Sequence, residues 1–588
     1  MRSLRLCAAG IARERGLNIP PDAATCRRER LPDAEPLASC GALQRQRPLR
    51  IIRRLMARRS CFAAAGRITA PNRLGRHFSI IFMRLKYFSP IALALLAGSL
   101  FQSVARADPW AMPGDMALRH DVQVLADAGV VRSPVTAWPI PWATLAADLE
   151  DYPPGESASE SVRGAFERVS RRLQTVKRSG GIQPNARLAG SSSPRSIRTF
   201  ENKPRDDWEV QAGASWTGQR FAARIQATGV SDPEDNKNVR MDGSYAAVVL
   251  GNHILSGGVI DRWWGPGWDG SLIYSTNARP IPALSLERNV SSAFETKWLS
   301  WIGPWTYSLV YGWLDDDRAV KDAQFLGLRV AARPLKDLEL ALTRTAQWCG
   351  DDRPCDFDAF SDLVLGKDNR GDDGINIENE PGNQLAAVDI RWNSPLFDAN
   401  YALYTQWTAE DEADGLPSRW IGLAGVEVWG RLDSRWLSGD WRLRLEGADT
   451  AAEFYKNSPR FDYAYEHFIY ETGYRYRGRA IGHPMDNDGQ MISLGGILVE
   501  QDGRSWNTLL RWTRVNRGER QGKDPLHSVS EDELNLVDAE ISHRRPLRAR
   551  GYDLGTIGLG LGYGYRENVK TDEEHNDVRG FLEWTWDI

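Results

Sequence analysis

The side chains best suited by type and spacing to do chemistry in this chain are aromatic rings set beside carboxylates and amides. "RWWGPGWDGSLIYSTNARP" (Arg262 to Pro280) places Trp263, Trp264 and Trp268 around a Gly-Pro-Gly turn. "TQWTAEDE" (Thr405 to Glu412) sets Trp407 beside Glu410 and Asp411. "FDYAYEHFIYETGYRYRGRAIGH" (Phe461 to His483) gathers Tyr463, Tyr465 and His467. The chemistry these residues suit is sugar recognition. A pyranose carries an apolar face of C–H groups that packs on an aromatic ring. Its hydroxyls need fixed donors and acceptors, which Asp, Asn, Glu and Gln supply. Each ring also has a competing role in a wall or at a membrane interface, and for Trp263 to Trp268 the two roles stand level.

Catalytic signatures are missing from the sequence. It contains no HExxH, no CxxC pair, no GxSxG elbow and no P-loop. The eight His residues are scattered, and acidic runs such as "EDEADG" (Glu410 to Gly415) read as solvated loops. "GKDNRGDDGINIENEPGNQ" (366–384) is rich enough in oxygen ligands to suggest Ca²⁺, but Arg370 stands where EF-hand spacing needs a ligand. The expectation is a binding protein with no metal and no cofactor, and not an enzyme.

Several elements must position these residues. Residues 1–82 hold 17 Arg, no Lys, no Trp and four of the six Cys, without a sustained period. At Met83 the character changes: Arg84 and Lys86 precede an apolar run from Ile91 to Leu100, and Ala105-Arg106-Ala107 follows. This is an export signal cleaved before Asp108, too short to span a bilayer. Residues 1–82 then read as an upstream extension ahead of the true start, and 83–107 as the signal. Without 1–107, 54 basic residues face 72 acidic ones, a net charge of −18. Such a chain is poorly suited to nucleic acid or to an anionic surface. Cys349 and Cys355, six apart in "CGDDRPC", suit a local disulfide in an oxidising compartment, with two free thiols as the alternative.

Residues 108–180 read as a small helical bundle. In "ESVRGAFERVSRRLQTVKR", Val162, Phe166, Val169, Leu173 and Val176 recur at steps of four and three. Leu118, Val122 and Leu125 form a second stripe stopped by Gly129, and Pro141 opens a third short helix. Residues 179–206 read as a linker or first-strand approach. From Trp208 the period becomes two. "GFLEWTWDI" sets Leu582, Trp584 and Trp586 opposite Glu583, Thr585 and Asp587. Strands of about nine to eleven residues, with aromatics near the ends of their apolar faces, have the dimensions of transmembrane β-strands. Long loops at 349–383, 516–532 and 566–577 alternate with tight turns such as 501–504, so the long loops should lie outside and the C-terminus in the periplasm. About 380 residues allow 16 to 18 strands, a lumen too wide for its own wall to fill. The bundle would then occlude the periplasmic mouth, against the alternative of a porin-like channel for small polar solutes.

These stretches resemble the capsule assembly family Wzi, outer-membrane β-barrel lectins of Gram-negative bacteria. The resemblance is carried by "WWGPGWDGSLI" (263–273), "ARPIP" (278–282), "WLSWIGPWTY" (298–307), "QWCGDDRP" (347–354) and "GKDN" (366–369). It continues in "NEPGNQLAAVD" (379–389), "DGLPS" (414–418) and "HFIYETGYRYRGRAIGHPMDNDGQ" (467–490), and extends to "LADAGVV" and "TAWPIP" near the amino end. It implies a mainly β fold, an 18-stranded barrel over 181–588 plugged on the periplasmic side, with outer-membrane lipid and capsular or extracellular polysaccharide as partners. Residues 1–82 and the two cysteines have no counterpart in the family. Polysaccharide arrives from outside, so the expected contacts are Trp407, Glu410, Asp411, Tyr463, Tyr465 and His467 at the outer rim, then Trp263, Trp264 and Trp268.

Overall fold

The stretch "DWRLRLEGAD" shows how this sequence folds. Leu443 and Leu445 are exposed while Arg442, Arg444 and Glu446 are buried. A soluble strand hides its leucines; here the polar face is the inner one, as in a barrel whose outside meets lipid. The computed structural model describes residues 109–177, 181–365, 380–397, 399–413, 416–518, 527–550 and 552–587. The upstream segment, the signal with its cleavage site, and 366–379 of the calcium candidate lie outside the described residues.

Eighteen antiparallel strands form one closed barrel. They are β1 Ile182–Ser191, β2 Trp208–Thr217, β3 Phe221–Val230, a broken β4 (Val239–Arg240 and Tyr245–Leu250), β5 His253–Val259 and β6 Pro282–Arg288. Next come β7 Trp305–Trp313, β8 Gln324–Leu335, β9 Leu338–Trp348, β10 Gly382–Asn393, β11 Tyr401–Ala413 and β12 Leu416–Asp433. The last are β13 Ser438–Asp449, β14 Gln490–Val499, β15 Ser505–Val515, β16 Leu534–Ala549, β17 Tyr552–Asn568 and β18 Glu574–Asp587. The ring closes where β18 pairs with β1, from Phe581↔Ser191 to Asp587↔Asn185. Inside that seam Arg187 donates to Glu583 at 2.6 Å and is also paired with Glu209.

One expectation is narrowed here and one corrected. Of the two readings of 179–206, linker or first-strand approach, residues 182–191 take the second and form a full wall strand. The segment 192–207 folds into the lumen, where Ile197 and Phe200 are buried. The expected loop 566–577 is mostly strand: β17 and β18 run through it and leave only 569–573 between them.

The outer wall carries Leu188, Ile225, Leu284, Leu328, Leu342, Leu403, Ile492, Leu510 and Leu561 as exposed side chains, a belt that costs free energy in water and gains it in lipid. Trp298, Trp301, Phe397, Trp436 and Tyr552 are exposed at the end with tight turns, the position of an interfacial aromatic girdle. Among the described residues no helix is long and apolar enough to cross a membrane.

Three helices precede the barrel: α1 Met116–Asp127, α2 Trp142–Asp151 and α3 Glu160–Lys177. Asp115 caps α1 by accepting the Leu118 N–H at 2.9 Å. Gly129, at φ +75°, lets the chain leave α1 in a left-handed turn. In α3, Val169 and Leu173 are buried, and Val162, Phe166 and Val176 pack against them from its flanks. The bundle meets the end of the barrel that carries the tight turns and both barrel termini. Asp127 accepts from Arg391 at 2.7 Å and Arg442 at 2.9 Å. Arg168 joins Asp121 at 2.7 Å to Asp440 at 2.8 Å. Glu339 accepts the Thr136 N–H at 2.9 Å and its hydroxyl at 2.6 Å. Buried ion pairs of this kind add little net stability, but breaking one is costly, so they hold the bundle in a single orientation.

Candidate functional site

Besides 192–207, two outer loops turn inward: the first meets the bundle inside the lumen, and the second packs on the first. The first is 260–281. Its Trp263–Trp264 pairs with Ala137–Trp138 of the bundle. Arg119 of α1 donates to the carbonyls of Pro266 and Gly267, both at 2.9 Å. Its guanidinium lies 4.3 Å from the Phe200 ring and 4.1 Å from the Trp268 ring. Glu446 accepts the N–H groups of Trp268 (2.7 Å), Asp269 (3.1 Å) and Gly270 (2.8 Å), and Gln406 accepts that of Leu272 at 2.6 Å. A polar wall thus satisfies the backbone of a buried turn.

The second loop is 450–489. Tyr465 donates to the Leu272 carbonyl at 2.5 Å, and Tyr474 to that of Ile273 at 2.8 Å. His483 lies against Gly270, where a Cβ would collide with its ring. Its Nδ1 accepts the Met485 N–H at 3.3 Å, which leaves the ring proton on Nε2. Burial, with Arg511 nearby, pushes this imidazole down to about 3.

These contacts correct part of the expected site. Trp263, Trp264 and Trp268 are 0, 1 and 1 % exposed, and Tyr465 is 0 % exposed. They meet the bundle, the wall and the two loops, and no face is left for a sugar. Trp407 is half-buried and sits on the outward face of β11, in line with exposed Leu403, so it belongs to the lipid-facing wall and not to the mouth. Glu410 is half-buried near the tip of the β11–β12 hairpin. The Asp411 side chain lies outside the described residues.

The remaining candidates, Tyr463 and His467, lie on the second loop, each with its own partners. Tyr463 is half-buried beneath Arg419, 4.9 Å away. His467 stacks on exposed Phe468 at 4.5 Å, and its Nε2 lies 3.3 Å from Glu380. Phe461 is exposed, with Arg517 5.6 Å from its ring. The floor is rigid: Arg475 holds Asp486 at 2.7 Å and Glu466 at 2.6 Å. Asp488 accepts the Asp462 N–H at 2.8 Å, and burial with Asp462 beside it pushes the Asp488 carboxyl up to about 7. Cys349 and Cys355 are joined as a disulfide with Cα atoms 4.7 Å apart, and the Cys349 carbonyl accepts from Tyr470 at 3.1 Å. The rim therefore offers half-exposed aromatic faces on a fixed polar base.

The model of the capsule assembly protein Wzi family matches residues 178–553. The chain belongs to that family. A Klebsiella pneumoniae protein described as a 55.8 kDa protein in the cps region is 31 % identical over 411 residues, 68 % of this chain and 77 % of that protein. Wzi, the outer membrane protein involved in group 1 capsule assembly in Escherichia coli, is described as a carbohydrate-binding β-barrel. It superimposes with a TM-score of 0.69 at 25 % identity, covering 81 % of this chain and 98 % of Wzi.

Sequence reasoning missed Phe461, Phe468, Arg419 and Arg517 as rim residues, though the first two stand in the stretch it singled out. Alternation along "FDYAYEHF" puts Phe461, Tyr463, Tyr465 and His467 in one series, while the loop buries Tyr465 from within that series. No local pattern signals a loop that turns back into a lumen.

Proposed function

We propose that this chain is a non-enzymatic outer-membrane lectin that binds capsular or extracellular polysaccharide at its outward rim and helps hold the polymer at the cell surface. One observation carries the reading: the bundle and the two infolded loops occupy the lumen, so a polymer arriving from outside meets the rim and goes no further. The resemblance to Wzi, described as a carbohydrate-binding barrel involved in capsule assembly, supports the ligand class. The inner acids are committed elsewhere. Glu446 caps a backbone turn, Asp269 is held by Arg444 and Ser493, and Asp127 by two arginines. This supports binding over catalysis, and the filled lumen counts against the porin-like alternative.

In this reading Tyr463, Phe461 and the His467–Phe468 stack present ring faces to the C–H faces of sugar units. Each contact is weak, and repetition along the polymer raises the avidity. Replacing Tyr463 and Phe468 together by Ala should move polysaccharide from cell-attached to shed, with unchanged barrel yield in the membrane. Unchanged retention in that double variant would sink the rim assignment. Loss of attachment in a strain lacking the gene, measured by surface-glycan imaging, tests the role itself.

A further inference from the structure

Two segments of the outer loops fold back over the outside of the wall. One is the helix α4 (Phe357–Leu365), whose Leu363 and Val364 carbonyls accept from Arg344 of β9, both at 2.9 Å. The other is 452–460, closed by the Ala452–Arg460 bridge, which lays Phe454 over Gly422 of β12 and stacks it on Trp407 at 5.6 Å and 22°. Beside that stack lies an open cleft of about 370 Å³ lined by Val388, Trp407, Trp420 and Tyr455. Every lining side chain is apolar or aromatic.

The cleft faces away from the lumen and from the rim. Val388 and Ile390 of β10 and Leu403 of β11 are exposed on the same outward face, so the cleft continues the lipid belt upward. Trp407 stands four residues beyond Leu403, roughly 13 Å toward the long-loop end, the level of the outer interface. Lys456 and Arg460 stand just beyond Tyr455, both exposed, and share one carboxylate, Glu453, at 2.6 and 2.8 Å. Two cations against one anion leave a net positive charge at the upper mouth of an apolar cleft.

We infer that this cleft seats one acyl chain of an anionic outer-leaflet lipid, whose phosphate-bearing head group meets Lys456 and Arg460. The inference rests on the outer-membrane reading above but is independent of polysaccharide binding. The test uses the full chain in vesicles of phosphatidylcholine containing a minor fraction of phosphorylated glycolipid, with flotation to confirm insertion. Native mass spectrometry after mild detergent release then counts the lipids retained. Wild type should keep one glycolipid that Val388→Trp, which fills the cleft from its lipid-facing side, does not. Lys456→Gln with Arg460→Gln should keep a bound lipid but lower the preference for the anionic one, by about fivefold per charge removed. Equal retention by wild type and Val388→Trp overturns the site. An unchanged lipid preference in the charge variant overturns the head-group assignment. A chain that fails to float with the vesicles counts against the outer-membrane reading itself, so the two failures are told apart.

Discussion

His483 shows at the scale of one side chain how the lumen is held together, and why its role escaped the sequence. In "GHPMDNDG" it reads as an ordinary loop histidine. In the folded chain it is wholly buried against Gly270, with Arg511 and Asp269 the charged groups facing it. Burial and Arg511 favour the neutral ring, so its affinity for a proton drops from the ordinary value of 6.5 to about 3. The folded state then binds fewer protons than the unfolded state between those two values. The stability contributed by the neutral ring is complete above pH 6.5 and is lost as pH falls through that window. At pH 5 the loss is about 2 kcal/mol. Chemical unfolding in detergent at pH 8 and pH 5 measures it: the drop between the two should be larger in wild type than in His483→Gln by about that amount. Equal drops would mean that the ring is charged, or solvated, in the folded chain. The indoles teach the same lesson. Trp263, Trp264 and Trp268 were legible as unusual, but their partner, Arg119, lies in a helix more than 140 positions away, and no local pattern links the two.

At the scale of elements, alternation was legible wherever a strand has one face in lipid and one in the lumen. "SWNTLLRWTRV" is β15 with Leu510 and Trp512 outside and Asn507, Leu509, Arg511 and Thr513 inside. The α3 stripe was legible for the same reason, since a single solvent boundary sets the period. Residues 182–191 were marked more faintly, as a linker or first-strand approach, because Pro184, Ala186 and Gly190 leave only Ile182 and Leu188 as large apolar side chains on the outward face of β1. The helix α4 was missed because nine residues between acidic stretches are too few to establish a helical period. Loop length also misled at 566–577, where β17 and β18 continue beyond the lipid belt as polar hairpin. Orientation follows from which turns are tight. Connections 251–252, 336–337 and 550–551 lie at the end that carries the bundle and the C-terminus, and 349–381, 450–489 and 516–533 at the other. A cysteine replacing Glu574, which is exposed, should react with a membrane-impermeant maleimide on intact cells. One replacing Asp502, also exposed, should react only after the outer membrane is opened. The reverse labelling would invert the barrel.

At the scale of the molecule, the lumen has two closures in series, and the sequence pointed to only one. An 18-stranded wall encloses more space than its inward side chains fill. The bundle closes the end with tight turns through Asp127, Arg168 and Thr136. The loops 260–281 and 450–489 close the middle through contacts of their own: Tyr465 and Tyr474 bond the first loop from the second, while Glu446 and Gln406 bond it from the wall. From the bundle, Arg119, the Thr136 carbonyl, which accepts the Gly265 N–H at 3.0 Å, and the Ala137–Trp138 pairing reach that layer directly. Removing the bundle therefore takes away one closure and a few supports of the other. The full chain should show no conductance steps in a planar bilayer, and deletion of 115–178 alone should leave the current near zero. Steps as large as those of an open barrel of this width would mean that the two loops fold inward only on the bundle, making the closures one cooperative unit. Silence in both proteins would leave the loops as the inner wall beneath the rim, so a polymer held there would rest on a surface that stays closed without the helices.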